Sequence, residues 1–159
     1  MEDILSKEPV QRVINALSDF DKSLKVEVLN SSAKTAKEAA SSLNCEVGAI
    51  VKSLLLRTDD SFILCLVAGD KRCSLNKVKK LLKKKDVSMA DAEQVKSQTG
   101  FSIGGVSPTA HLNKNKILID VSLSRYKHVY AAAGHPNTIF KISYKQLIKL
   151  TKGTEEDIV

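Results

Sequence analysis

The chain has 159 residues, of which 43% are hydrophobic and 27% charged, a size that suits one domain with its own core and is short for two. Its formal charge of +7 makes a polyanionic partner such as a nucleic acid plausible. The longest apolar run, Phe62 to Ala68, is too short to cross a bilayer, and the first ten residues hold acids and no signal-peptide core. We therefore expect one soluble, cytoplasmic domain spanning residues 1–159 and no membrane partner.

The first predicted element is a helix that begins near Pro9 and carries apolar residues at helical spacing. A short strand over residues 25–30 should follow. Thr35 and Glu38 predict a capping box, a reciprocal pair of hydrogen bonds between side chains and main chain, at the start of a second helix.

Two apolar runs, residues 52–58 and 62–68, are joined by a short polar turn and predict a β-hairpin. A basic helix comes next. It should pack inward through its apolar residues, Leu75, Val78, Leu81 and Leu82.

Asp91 predicts the N-cap of another helix, and the chain becomes rich in strands after Gly100. The strands are predicted over residues 116–120, 128–133 and 138–143. Ser143 and Gln146 predict a capping box for a last helix that ends at Gly153. Helices and strands mix without a strict βαβ repeat, which favours an α+β fold with a mixed sheet.

Three cysteines, Cys45, Cys65 and Cys73, are odd in number and show no ligand spacing. We interpret them as reduced structural thiols and expect neither a disulfide framework nor a metal site. The chain also lacks a P-loop, a nucleophile elbow, a zinc-protease motif and a dinucleotide fingerprint.

Lys52 stands out because it interrupts an apolar strand. With a period of two, it shares a face with Ile50, Leu54 and Leu56. An ammonium so placed reaches water, pairs with an anion, or marks the arrival of an anionic ligand. Ser53 faces the other way, so the two residues do not form a Ser-Lys dyad.

The basic helix offers a second candidate site. Between Lys71 and Lys85 the chain holds eight basic residues and no acid. Such a run is either a solvated helix face or a contact for phosphates, and the scarcity of aromatic residues argues against base stacking. The candidate phosphate-contacting residues are Lys77, Lys79, Lys80, Lys83 and Lys84.

Two glycine loops, residues 99–108 and 131–136, each end in proline. Glycine permits close approach of main chain to a ligand, so such loops are either simple tight turns or binding loops with main-chain donors. His135 lies in the second loop, where a turn residue is the simpler interpretation. His111 and His128 show no partner spacing and receive no role.

Four segments in order, "TAKEAASSLN…VGAIVKSLLLR", "MADAEQVKSQTGFSIGGVSP", "ILIDVSL" and "VYAAAGHPNTIFKIS", give the chain a family resemblance. Over about residues 35–153 it resembles the YbaK-type aminoacyl-tRNA deacylases, free-standing relatives of the editing domain of bacterial prolyl-tRNA synthetase. The resemblance implies their fold, an α+β domain with a mixed sheet or partial barrel flanked by helices.

The resemblance further implies hydrolysis of the ester between a wrong amino acid and the 3′ end of a tRNA, most often tRNA(Pro), without metal or cofactor. Lys52 matches the residue most tied to activity. The loop that shapes the aminoacyl pocket matches Gly104, Gly105, Val106, Ser107 and Pro108, and the loop that borders it matches Gly134, His135 and Pro136. Asp120 matches an acidic position of the family.

On this basis we expect Lys52 to meet a terminal phosphate or polarise the ester, with water as nucleophile and the Gly104-Gly105 main chain as oxyanion donor. The partners would be the acceptor end of aminoacylated tRNA and prolyl-tRNA synthetase, with no DNA. The candidate lysines of the basic helix are then the expected tRNA-binding residues. Two alternatives are a non-catalytic tRNA- or nucleotide-binding module and a synthetase-docking domain that uses the acidic tail or the first helix.

Overall fold

The computed structural model of the protein describes residues 3–31 and 34–159. They form helices α1 to α5 and strands β1 to β8, in the order α1 (Glu8–Phe20), β1 (Val26–Val28), α2 (Ala36–Leu43), β2 (Val51–Arg57), β3 (Phe62–Ala68), α3 (Leu75–Leu82), β4 (Ser88–Met89), α4 (Ala92–Thr99), β5 (Lys116–Asp120), β6 (His128–Ala132), β7 (Thr138–Ser143), α5 (Tyr144–Thr151) and β8 (Thr154–Glu156).

The strands form two sheets. The larger has the order β4-β2-β3-β5-β8 and is mixed, because β2 pairs antiparallel with β3 whereas β5 pairs parallel with both β3 and β8. The smaller has the order β1-β7-β6 and is antiparallel. A single parallel bridge between Ile50 and Tyr130 joins them. The predicted α+β fold with a mixed sheet is confirmed.

Strand β3 lies at the centre of the larger sheet, and all its residues after Phe62 are buried. Because side chains alternate along a strand, Leu64 and Leu66 face one apolar cluster while Cys65 and Val67 face another. The first cluster is covered by helices α1, α4 and α5 and by the smaller sheet, the second by α3 and the end of the chain. This two-sided burial explains the continuous apolar run in the sequence.

The helix starts follow the predicted caps, with one difference. Thr35 and Ser143 each accept a hydrogen bond from the main-chain N–H three residues on, as N-caps do. Among the described helices, the full reciprocal capping box forms only between Asp91 and Gln94. At the end of α5 the left-handed residue is Lys152, not Gly153.

The basic helix α3 packs as predicted except at one residue. Val78 is buried, and Leu75 and Leu82 pack against the same cluster. Leu81 is 40% exposed, so its predicted burial is wrong. At 100° per residue, Leu81 falls roughly a quarter turn away from the stripe that the other three residues form.

The acidic C-terminal segment is part of the fold. Thr154–Glu156 forms β8, and Ile158 is fully buried. The main-chain N–H of Ile158 donates to Asp120 Oδ1 at 2.8 Å, and its carbonyl accepts from Ser74 N at 2.6 Å. Cys45, Cys65 and Cys73 form no disulfide with one another. Within the described ranges no helix is both long and apolar enough to span a bilayer.

We predict that Leu64→Ala lowers the free energy of unfolding by about 2–5 kcal/mol, because it removes a fully buried side chain from the main cluster and leaves a cavity. Urea denaturation measures the change. Leu112→Ala is the control, since Leu112 is 59% exposed and should change stability by no more than about 0.5 kcal/mol. Equal losses in the two variants would contradict the assignment of the core.

Candidate active site

A cavity of about 590 Å³ lies beside the first half of β2. This strand pairs with β3 along its whole length, but β4 pairs with its other edge only at Leu56 and Arg57. The Leu55 carbonyl also accepts from Ala90 N at 3.0 Å, so the edge is open toward the cavity from Val51 to Leu54. For this reason consecutive residues of β2, from Val51 to Leu55, line the cavity although their side chains alternate between faces.

The lining is mostly apolar and belongs to two clusters. One part comes from α2 and the residues before β2 and packs with Ile50 and Tyr130. The other part belongs to the main cluster, and its members are Val51, Leu55, Ala90, Val95, Val106 and Ala131. Met89 and Ile103 also line the cavity and are more than half exposed, so they mark its mouth.

Lys52 lies in the wall of this cavity, half-buried, on the sheet face that α3 covers. Its Nζ donates a hydrogen bond to the main-chain oxygen of Lys71 in the loop after β3. Burial, and next the nearby Arg72, lower the pKa of Lys52, while Asp70 opposes the shift. The ammonium is thus fixed by one neutral acceptor and retains donors for a ligand.

The cavity carries an excess of positive charge. Lys34, Lys37 and Lys52 line it, and the lining in the described residues contains no carboxylate. The nearby Asp70 is engaged elsewhere, since its two oxygens accept from Arg125 at 2.7 and 2.8 Å. That guanidinium lowers the pKa of Asp70. An anionic ligand would therefore be attracted to this site.

The first glycine loop reaches the cavity through Gly104 and Val106. Gly104 has φ +93°, and Gly105 N–H donates to the Ser102 carbonyl at 2.9 Å, as in a tight turn that needs glycine at its third position. Gly105 N–H is therefore already used, which corrects its expected role as oxyanion donor. The N–H of Gly104 has no hydrogen-bond partner among the residues that the structure describes.

The second glycine loop packs directly against the first. Gly134 N–H donates to the Gly105 carbonyl at 3.1 Å, and a Cβ on Gly105 would lie 2.9 Å from His135 N. Gly134 has φ +100°, and a Cβ there would lie 2.8 Å from the Pro9 carbonyl oxygen. Glycine at both positions lets the two loops and the start of α1 meet without side chains between them.

Several predicted pocket residues support the cavity without lining it. Ser107 and Pro108 are buried behind Val106. His135 Nδ1 accepts from Asn137 N at 3.0 Å, and Pro136 lies beside Gly104. The structure therefore places His135 in a local turn.

Asp120 lies outside the cavity. It is fully buried at the end of β5. One carboxylate oxygen accepts from the N–H and hydroxyl of Ser122, and the other accepts from the N–H of Ile158. These bonds hold the chain end against the sheet and support a structural role.

The predicted tRNA-binding lysines share helix α3 and its C-terminal end but differ in their partners. Lys77 pairs with Asp157 at 3.0 Å, and Lys84 with Asp60 at 3.3 Å. Lys80 and Lys83 are exposed, and Lys79 is half-buried. The helix covers the sheet face from which Lys52 projects.

Sequence reasoning missed four residues at the site. Lys34 and Lys37 flank the Thr35 cap, which identified the helix but not the cavity beside it. Ser53 also lines the cavity. His111 supports the first glycine loop from behind.

His111 is held by two hydrogen bonds. Its Nε2 lies 2.6 Å from the Ser107 carbonyl, which only accepts, so Nε2 carries the proton. Its Nδ1 then accepts from Asn115 Nδ2 at 3.1 Å. Burial lowers the pKa of His111, the bond to Ser107 opposes the shift, and Arg12 adds to it. The neutral ring thus anchors the loop.

Comparison with known proteins fits this geometry. A family model for the aminoacyl-tRNA editing domain matches residues 30–150, about three quarters of the chain. The chain belongs to the aminoacyl-tRNA editing domain family. Within this family's matched range lie Lys52, both glycine loops and most of the cavity lining.

Relatives of this editing domain occur both alone and inside larger proteins. The uncharacterized protein YwhH of Bacillus subtilis is 32% identical over 73% of this chain and 74% of its own length. The proline–tRNA ligase of Bacillus velezensis is 32% identical over 75% of this chain, which spans only 20% of that protein. A solved structure described as a candidate trans-editing enzyme for prolyl-tRNA synthetase is 37% identical, with a TM-score of 0.90 over 96% of this chain and 97% of the other.

Over residues 3–31 and 34–159, no three His, Cys, Asp or Glu side chains lie close enough together to hold a metal ion.

We predict that acidification below pH 6.5 destabilises the protein partly through His111. Folding lowers the pKa of His111, so below about pH 6.5 the unfolded chain binds more protons than the folded protein does. The free energy of unfolding therefore decreases as the pH decreases through this range. Above about pH 6.5 His111 is neutral in both states, so no stability is lost through its protonation. His111→Gln, which keeps a donor for Ser107, should show a shallower fall between pH 7 and 5 in urea denaturation. His128→Gln, at an exposed position, is the control, and a wild-type slope in His111→Gln would contradict the prediction.

Proposed function

We propose that this protein deacylates mischarged aminoacyl-tRNA, most often tRNA(Pro) carrying a small noncognate amino acid such as alanine, serine, threonine or cysteine. The observation that carries the proposal is the position of Lys52, whose ammonium is held by a hydrogen bond in the wall of an apolar cavity. Two further lysines line this cavity, and no carboxylate does so among the residues that the structure describes. The bond hydrolysed is the ester to the terminal ribose. The family and the solved trans-editing relative support this substrate class.

In this proposal Lys52 stabilises negative charge. Its ammonium contacts the terminal phosphate or the ester carbonyl, and partial burial strengthens the interaction because water screens it less. Lys34 and Lys37 lie on the same cavity and favour entry of a polyanion's end.

Water is the proposed nucleophile, and no metal takes part. His135 Nδ1 is tied to Asn137 N, so the proposal assigns it no role as general base. The 2′-hydroxyl of the terminal ribose positions or activates the water instead, as in the mechanism proposed for the family. The N–H of Gly104 is the proposed oxyanion donor, since it lacks a described partner and its residue lines the cavity.

The exposed lysines of α3 and its end are the proposed contact for the acceptor stem. Lys77 and Lys84 can exchange their exposed carboxylate partners for phosphates at small cost, because surface ion pairs contribute little. Prolyl-tRNA synthetase is a proposed partner, supported by the synthetase-embedded relatives. Such an editing role belongs in the cytoplasm.

We predict that Lys52→Ala lowers kcat/KM for deacylation by about a hundred- to a thousandfold while the protein stays folded, because one preorganised electrostatic group is lost. Release of radiolabelled amino acid from separately charged tRNA(Pro) measures the rate, and wild-type turnover should persist in EDTA.

Lys71→Ala is the matched control for Lys52→Ala. It removes the same charge from the same region, yet it keeps the main-chain oxygen that Lys52 contacts. Near-wild-type rates are expected for this variant. Full activity of Lys52→Ala would refute the role of Lys52, and tight tRNA binding without any turnover by the wild type would favour a binding module.

We predict that charge reversal of Lys79, Lys80 and Lys83 to glutamate weakens tRNA binding and flattens its dependence on salt, since fewer counterions are released. Filter binding at several salt concentrations measures both. Charge reversal of Lys145, Lys149 and Lys152, on and just after α5, changes the net charge equally away from the cavity lining. If the two triple variants behave alike, only net charge matters and α3 is not the contact.

A further inference from the structure

Ser53 is an unsatisfied polar group in the cavity wall. Its Oγ is buried and has no hydrogen-bond partner in the described parts of the chain. A hydroxyl without a partner in an apolar setting is costly, so buried polar groups are normally paired. Rotation about one side-chain bond changes where this hydroxyl points, which lets it meet a ligand in the cavity.

The surroundings of Ser53 are apolar and separate from Lys52. Side chains alternate along β2, so Ser53 shares a face with Val51 and Leu55, both in the main cluster. Val106 and Ala131 of that cluster also line the cavity. Lys52 projects from the opposite face of the strand, so the two residues can contact different parts of one substrate.

We propose that the Ser53 hydroxyl hydrogen-bonds the side-chain hydroxyl of the bound amino acid and makes the enzyme prefer seryl- or threonyl-tRNA to alanyl-tRNA. This inference rests on the proposed function. When the ester carbonyl of the substrate contacts Lys52, the part of the substrate that reaches Ser53 is a group attached to the α-carbon of the amino acid. An alanine methyl there would leave the buried hydroxyl unpaired, and sites of this kind discriminate strongly against a substrate that lacks the hydrogen bond.

The other polar substituent, the α-ammonium, fits this position poorly. The described lining holds Lys34, Lys37 and Lys52 and no carboxylate, so a buried ammonium would face like charges without an anion. It is better placed at the open mouth, near Met89 and Ile103. A neutral hydroxyl carries no such penalty.

The test compares wild type, Ser53→Ala and Ser53→Thr on tRNA(Pro) charged with serine or alanine. Wild type should prefer the serine ester. Ser53→Ala should lose about tenfold or more in kcat/KM on the serine ester and keep or gain activity on the alanine ester, which reverses the preference. Ser53→Thr keeps the hydroxyl and should keep the preference for serine, even if the added methyl slows both substrates.

Two results would overturn the proposal. Equal losses on both esters in Ser53→Ala would mean that the hydroxyl serves a group common to all substrates. Wild-type activity of Ser53→Ala on both esters would mean that the hydroxyl does not contact the substrate. Circular dichroism melting of each variant identifies a folding defect, in which case the wild-type ratio and Ser53→Thr decide.

Failure of the proposed function has a different signature, namely no release of any amino acid by wild type. Binding then tests Ser53 independently, by calorimetry with 3′-seryl-amido and 3′-alanyl-amido adenosine, in which a stable amide replaces the ester. Tighter binding of the seryl compound by wild type, lost in Ser53→Ala, supports the proposal. Equal binding of both compounds refutes it.

Discussion

Strand β2 is paired with β3 along its whole length, yet its other edge is covered only near its ends. The short β4 pairs at Leu56 and Arg57, and a single bridge ties Ile50 to Tyr130. Between these points the edge faces a cavity, so residues from both faces of the strand line one space. An exposed edge is normally a hazard because its main-chain groups can pair with other chains. Here β4 and the Ile50 bridge limit the open edge to a few residues, and the cavity beside it has both Lys52 and Ser53 in its lining.

The shape of the cavity depends on contacts between main chains. The two glycine loops meet through the bond from Gly134 N–H to the Gly105 carbonyl, and α1 closes against Gly134. His111 fixes the far side of the first loop through the Ser107 carbonyl. Residues such as Ser107, Pro108 and His135 therefore shape the site from behind the lining. A loop held this rigidly can present a main-chain donor without reorganisation, which electrostatic catalysis requires.

The distribution of charged side chains around the cavity suits a polyanionic substrate. The lysines of the cavity lack carboxylates beside them in the described lining, while Asp70 and Asp157 are engaged by Arg125 and Lys77. The acids thus neutralise cations around the site but leave Lys52 bonded only to a neutral carbonyl among the described residues. Partial burial then makes that one charge more effective than an exposed lysine would be.

Local patterns in the sequence determined strands β1 to β3 and β5 to β7, the helix starts and the prominence of Lys52, because alternation, spacing and caps act within a few residues. They did not predict the short edge strands β4 and β8, which form by pairing with distant segments. Leu81 shows the limit of such patterns, since an apolar residue at a near-helical spacing still falls off the buried stripe of a short helix. Asp120 shows another limit. The sequence alone shows a single acid in a strand, as a catalytic carboxylate can be. In the folded protein the main chain of Ile158 binds this carboxylate. The Gly105 N–H shows a third limit, because it is bound within its own turn by the Ser102 carbonyl, a bond that the glycine pattern alone did not reveal. Only the tertiary structure brought Lys34, Lys37 and Ser53 to one cavity, because a cavity forms between segments that lie far apart in the sequence.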